Sequence, residues 1–280
     1  MDTRQAITPE LREWLLAQVA AGHSADRVLA SMQASGWDTG VALDAIREVM
    51  PDAQVELTEV PPAMPDVTLS DGAAHRIHAH DRQVDVLMSV RHPRIVVLRG
   101  LLSDAECDGL IELARPRLSR SETVVNRTGA SEVNAARTSQ GMFFSRGEGE
   151  LVGAIEARIA DLLNWPVERG EGLQVLRYGV GAEYRPHFDY FDPGQPGSHA
   201  ILKRGGQRVG TVLMYLNTPT AGGATTFPDA GIEVQALRGT AVFFAYDRPS
   251  PLTRTLHGGA PVQAGEKWVA TKWLRAGRFE

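Results

Sequence analysis

The chain has 280 residues, 43% hydrophobic and 22% charged, which excludes wholesale disorder and is enough to bury a core without staples. Net charge is -5 and no lysine- or arginine-rich run occurs, so the electrostatic footprint of a nucleic-acid or anionic-membrane binder is missing. Cys107 is the one cysteine, and no apolar run approaches about 18 residues, so a reducing, cytoplasmic setting without a membrane span is expected.

Residues 1–50 predict three short helices. Thr8 caps the first, Pro9 opens it, Leu11, Leu15, Leu16 and Val19 form its stripe, and Gly22 stops it. Ser24 caps the second, which carries Val28, Leu29 and Met32 and ends at Gly36. The third covers roughly 40–50, with Val41, Leu43, Ile46 and Val49, and ends at Pro51. This segment resembles a small ubiquitin-associated-like bundle, open to a protein partner. Residues 51–80 read as a linker, with Pro51, Pro61, Pro62 and Pro65. Within it, His75, His78 and His80 read as a solvated helix face rather than a metal site.

Residues 81–280 read as the second domain. Ile95-Val96-Val97-Leu98 predicts a strand, and Ser103-Asp104-Ala105-Glu106 a capping box opening a helix to about Ala114, with Cys107 as a buried small hydrophobe. Leu151, Ile155, Ile159 and Leu162 recur at helical spacing up to Pro166, with Glu148, Glu150 and Glu156 on a solvated face. Residues 173–275 then predict eight short strands: 173–178, 184–189, 209–216, 224–227, 232–235, 240–244, 253–257 and 267–274. The expected fold class is α+β: a double-stranded β-helix (jelly roll, eight core strands) with flanking helices and the small N-terminal helical bundle. Loop 192–207 is long, polar and glycine-rich, as a lid or binding loop would be.

The chemistry centres on His187-Phe188-Asp189. Alternate residues of a strand share a face, so the imidazole and carboxylate project together. His257, ending the seventh predicted strand, is the natural third ligand. Two histidines and one carboxylate suit non-haem Fe(II), but catalytic Zn2+ takes the same set, so the triad alone does not separate oxidation from hydrolysis. Lys267, ten residues after His257, starts what reads as the adjacent strand and shares a face with Val269, Thr271 and Trp273. If that face points inward, its ammonium needs an anion. A carboxylate on a bound cosubstrate supplies one, with hydroxyls of Tyr178 and Thr211 able to donate to it.

The texts Leu173-Gln174-Val175-Leu176-Arg177-Tyr178, Tyr184-Arg185-Pro186-His187-Phe188-Asp189-Tyr190, Gly206-Gln207-Arg208-Val209, Gly222-Gly223-Ala224-Thr225-Thr226-Phe227-Pro228, His257-Gly258-Gly259, Gly265-Glu266-Lys267-Trp268 and Thr271-Lys272-Trp273 occur in that order. Together, over about residues 94–275, they resemble the prolyl 4-hydroxylase family of 2-oxoglutarate- and Fe(II)-dependent dioxygenases. The resemblance implies that His187, Asp189 and His257 bind Fe(II). Lys267 pairs with the distal carboxylate of 2-oxoglutarate, aided by Tyr178 and Thr211. O2 and 2-oxoglutarate are consumed, succinate and CO2 released, and L-ascorbate rescues oxidised iron. The implied substrate is a peptidyl proline, with Tyr184 near the prolyl ring, Trp273, on the Lys267 face, as a further substrate contact, and Arg137, in Arg137-Thr138-Ser139, at the peptide. Other readings stay open: a dioxygenase acting on another residue or a small molecule, a Zn2+ hydrolase that leaves Lys267 without a role, and a non-enzymatic adaptor that leaves the triad unexplained.

Overall fold

The computed structural model describes residues 7–37, 39–50, 64–68, 75–120, 123–124, 131–132 and 138–280. The chain divides into two compact units, Met1–Ala63 and Met64–Glu280. In the first, helices α1 (Pro9–Ala20), α2 (Ala25–Ala34) and α3 (Thr39–Val49) follow the predicted pattern. Thr8 and Ser24 accept hydrogen bonds from Leu11 N and Arg27 N, satisfying otherwise unpaired amides. Leu11, Leu15, Val28, Met32 and Ile46 close the core of this unit.

The second unit opens with a β-hairpin, β1 (Arg76–Ala79) and β2 (Arg82–Val90), followed by β3 (Arg94–Arg99) and α4 (Asp104–Ala114). Short strands β4 (Ser119–Arg120), β5 (Thr123–Val124) and β6 (Ser131–Glu132) lead to β7 (Gln140–Phe144) and α5 (Gly149–Leu163). Then come β8 (Leu173–Tyr178), β9 (Tyr184–His187), α6 (Ser198–Leu202) and β10 (Arg208–Tyr215). The chain closes with β11 (Ala221–Gly222), β12 (Thr225–Phe227), β13 (Ile232–Val234), β14 (Thr240–Ala245), β15 (His257–Gly259), β16 (Val262–Ala264) and β17 (Lys267–Arg275).

These strands form a jelly roll. The major sheet runs β1-β2-β3-β14-β10-β17-β8-β7-β4 and the minor one β13-β12-β15-β9. Strand alternation splits the apolar residues between two cores. On the outer face of the major sheet, Val96, Leu98, Val175, Val212, Met214 and Ala270 meet Leu110 of α4 and Val152, Ile155 and Ile159 of α5. Between the sheets, Leu176, Tyr178, Tyr215 and Val269 meet Phe227 and Val234. Strand β17 is buried on both faces.

Four expectations need correction. His75, His78 and His80 do not lie on a helix: His78 is in β1 and His80, at φ 53°, turns the hairpin. The linker does not extend to residue 80, because Val67 is buried in the larger unit's core and Arg94 holds Asp66 at 2.6 Å; residues 51–63 and 69–74 lie outside the described residues. Glu156 is not solvated: it is 2% exposed and accepts hydrogen bonds from Lys272 Nζ and, at 2.7 Å, from Gly147 N. Finally, the seventh strand begins rather than ends at His257, since Pro251–Thr253 forms a 3-10 turn before it. His257 therefore sits in the minor sheet and Lys267 in the major one, on strands that are not adjacent.

The capping box is present: Glu106 N donates to Ser103 Oγ at 3.2 Å and Ser103 N to Glu106 Oε2 at 2.7 Å. The same Glu106, with Asp81, receives the fully buried guanidinium of Arg158 at 2.7 Å each. Arg158→Ala would leave half-buried Glu106 with only the longer contact to Arg82, at 3.4 Å, as counter-charge, so a loss of about 3 kcal/mol is expected. Urea denaturation checks this, and a loss below about 1 kcal/mol would place the pair among weak surface bridges.

Candidate active site

Strand β15 pairs antiparallel with β9, with His257 directly opposite His187, and their rings lie 4.4 Å apart. Asp189 falls two residues past the end of β9, in a bend, yet its carboxylate reaches both rings. His187 Nε2 is 3.6 Å from Oδ1 and His257 Nε2 is 3.6 Å from Oδ2. One ligand atom from each residue lies within 4.8 Å of the others, the span of a single metal ion's donor set.

Tautomers favour the same use. His187 Nδ1 is 2.9 Å from Arg185 O and His257 Nδ1 is 3.0 Å from Thr255 O. A carbonyl only accepts, so both Nδ1 atoms carry the proton and both Nε2 lone pairs are free for a metal. Burial, then the neighbouring His187, pushes His257 down to about 4, keeping it neutral. Burial alone would raise Asp189, but the His257 and His187 imidazoles and Arg208 hold its carboxyl well below the usual range. Two imidazoles with their Nε2 atoms turned to one point and one carboxylate fit Fe(II).

Behind the triad lies a cavity lined by Leu176, Leu213, Phe244 and Val269 and closed by Lys267. As the alternation predicts, Lys267, Val269, Thr271 and Trp273 all face it. The Lys267 ammonium is on a residue 3% exposed, 5.5 Å from the Tyr178 ring and 5.8 Å from the Tyr215 ring. Among the described residues no carboxylate meets it. Glu266 points the other way, to Arg177 Nε at 2.7 Å and Trp268 Nε1 at 2.8 Å. Burial pulls Lys267 down to about 8. An unpartnered cation of this kind is a place prepared for an anion.

Other predicted residues are placed as follows. Tyr178 is opposite Lys267 in the β8–β17 register and lines the cavity. Thr211 also lines it, but its hydroxyl donates to Asp189 Oδ2 at 2.7 Å, so its proton serves the triad rather than an anion beside Lys267. Tyr184 stacks on His187 at 3.7 Å. Trp273 is 8% exposed, and its indole N–H is buried without a partner among the described residues. Arg137 lies outside the described residues, although the next residue, Thr138, accepts from Glu183 N at 2.9 Å, one residue before Tyr184. Loop 192–207 is closed at its base by Gln207, whose amide donates to Phe191 O at 2.7 Å and accepts from Phe191 N at 2.8 Å.

Three further residues carry no role in the sequence reading. Thr225 lines the cavity and accepts from Tyr215 OH at 2.8 Å, leaving its own proton to donate. Its signal was the alternation Thr225, Phe227 in β12, which turns both inward. Arg208 grips buried Glu171 at 2.6 and 2.9 Å, donates to Asp189 O at 3.3 Å, and lies 4.0 Å from the Trp273 ring. Tyr246 contacts Thr211 at 3.0 Å. These last two depend on tertiary partners that no local pattern shows.

A jelly roll with two imidazoles and a carboxylate at its mouth, and a buried ammonium at the far end, is the architecture of 2-oxoglutarate- and iron-dependent oxygenases. Residues 173–275 match the model of the 2OG-Fe(II) oxygenase superfamily. Prolyl 4-hydroxylase 2 of Arabidopsis thaliana is 41% identical over 213 residues, covering 67% of this chain and 69% of that protein. Prolyl 4-hydroxylase 1 of the same plant is 44% identical over 201 residues, covering 65% and 69%. Among solved structures, the viral collagen prolyl hydroxylase vCPH from Paramecium Bursaria Chlorella virus-1 is 31% identical, with a TM-score of 0.49, covering 65% of this chain and 95% of that one. The chain belongs to the prolyl 4-hydroxylase family.

Proposed function

We propose that this protein is a 2-oxoglutarate- and Fe(II)-dependent dioxygenase that hydroxylates a proline within a peptide or protein, at C4 of the ring. The observation that carries the reading is the unpaired Lys267 ammonium across one cavity from the His187, Asp189 and His257 cluster. A metal alone explains the cluster; only a dicarboxylate joined to it explains the lysine as well. A hydrolytic metal site has no use for that cation.

Bound iron supplies O2 activation, which turns 2-oxoglutarate into succinate and CO2 and puts one oxygen into a C–H bond. The protein's share is positional. Lys267 anchors the distal carboxylate, with Tyr178 and Thr225 donating beside it. Leu176, Leu213, Phe244 and Val269 exclude water around the cosubstrate chain. Tyr184, stacked on His187, and Trp273, backed by Arg208, flank the opening where a prolyl ring would stand. We extend the reading to L-ascorbate as the reductant that restores ferrous iron, to Arg137 at the peptide, to a cytoplasmic site of action, and to the N-terminal bundle as a protein-binding module.

The test is a peptide panel incubated with Fe(II), 2-oxoglutarate and O2. Succinate should form in step with 4-hydroxyproline on proline-containing peptides. Succinate formed only with peptides lacking proline would remove the substrate assignment, and peptide hydrolysis without O2 would remove the oxygenase.

A further inference from the structure

We propose that Tyr246 is a positioning residue for the metal triad, acting through Thr211 on the carboxylate of Asp189; this rests on reading His187, Asp189 and His257 as metal ligands. Asp189 needs such help. It lies beyond the last ladder residue of β9, so no strand pairing fixes its side chain. Arg208 holds its backbone carbonyl at 3.3 Å, but only Thr211, among the described residues, hydrogen-bonds the carboxylate with a hydroxyl.

Thr211 has one proton, and Asp189 Oδ2 receives it at 2.7 Å. The Tyr246 hydroxyl, 3.0 Å from the same Thr211 oxygen, cannot receive that proton as well. It must donate its own. The phenol keeps that proton, since burial and then the Asp189 charge hold its acidity well below that of a free tyrosine. The order is thus fixed as Tyr246 to Thr211 to Asp189. Each donation polarises the next, and the Thr211 hydroxyl loses its freedom to rotate away. Oδ2 accepts from this chain and faces His257 Nε2 at 3.6 Å, while Oδ1 faces His187 Nε2 at 3.6 Å.

The tyrosine itself is well held. It follows β14 directly, its amide donates to Val209 O at 3.1 Å, and its ring lies 6.2 Å from those of both Phe244 and Tyr190. The β10–β14 register, which sets Thr211 opposite Phe244, delivers it beside Thr211. A tyrosine needed only for packing would be satisfied by any acceptor. This one is spent on the residue that holds a ligand.

The experiment titrates the metal-free full-length protein with Co(II), a spectroscopic substitute for Fe(II), reading the dissociation constant and the visible ligand-field spectrum. Tyr246→Phe keeps the ring and removes the donor; it should weaken Co(II) binding about tenfold or more, within the range for lost outer hydrogen bonds to ligands, and alter the spectrum. Thr211→Val should do at least as much, and adding Tyr246→Phe to it should cost nothing further, because the chain runs through Thr211. Thr211→Ser, which keeps the hydroxyl, should bind as the parent does. Unchanged affinity and spectrum in Tyr246→Phe, even with a lowered Tm, would overturn the proposal, as would fully additive losses or a Thr211→Ser defect equal to that of Thr211→Val. If the parent itself binds no Co(II), the triad reading fails first and the proposal falls with it.

Discussion

Asp189→Ala should abolish turnover and metal binding together. The carboxylate is the triad's only anion, and it is the group both imidazoles face at 3.6 Å. Without it, two neutral rings would face a divalent cation with no charge to offset it. The loss should exceed the 10–100-fold typical of outer-shell changes, so Fe(II)-dependent succinate release should fall to background. The fold should survive, because the apolar residues between the sheets do not depend on this side chain; far-UV circular dichroism checks that. Turnover within about tenfold of the parent would mean that the metal is held elsewhere.

Lys267→Met should have two opposite effects. The cosubstrate-free protein should gain stability, because it no longer buries an unpaired cation. The folded ammonium loses its proton near 8, against 10.5 for the free group, a difference on the order of 3 kcal/mol. The pH dependence gives the sign. Below about 8 both folded and unfolded chains carry the charge, and the folded one bears the full cost. Between 8 and 10.5 the unfolded chain binds more protons, so parental stability should rise with pH there, and the rise should vanish in the methionine variant. Binding of 2-oxoglutarate should move the other way, weakening by a hundredfold or so, about 3 kcal/mol, for a broken buried ion pair. In the parent, affinity should likewise fall as pH climbs past 8. An unchanged cosubstrate KM in Lys267→Met would dismiss Lys267 as the anchor.

What was legible in the sequence followed from short-range periodicity. The 3.6-residue stripes gave α1 to α5, and the cap at Ser103 placed the start of α4. Alternation in β17 put Lys267, Val269, Thr271 and Trp273 on one face, where the structure has them. Long-range partnerships were not legible. Glu156 looks like one more acid on a helix surface, because Lys272 is 116 residues away. Thr211 looks like any inward hydroxyl until Asp189, just past β9, and Tyr246, just past β14, reach it. The hairpin at β1 and β2 was missed because its histidines and charges mask a weak alternation, and only pairing against β3 makes it a strand pair.

Strand β17 carries two buried lysines of opposite parity. Lys272 turns to the outer helices and finds Glu156; Lys267 turns to the interior and finds none. Gaining or losing one residue between them would put both on the same face, and if Lys267 keeps its place Lys272 turns inward. A second charge would enter the cavity, a helix acid would be orphaned, and neither layer could repair the other. Drift by a single-residue insertion or deletion is therefore closed to this stretch, and a library that changes its length by one should yield no folded, active members.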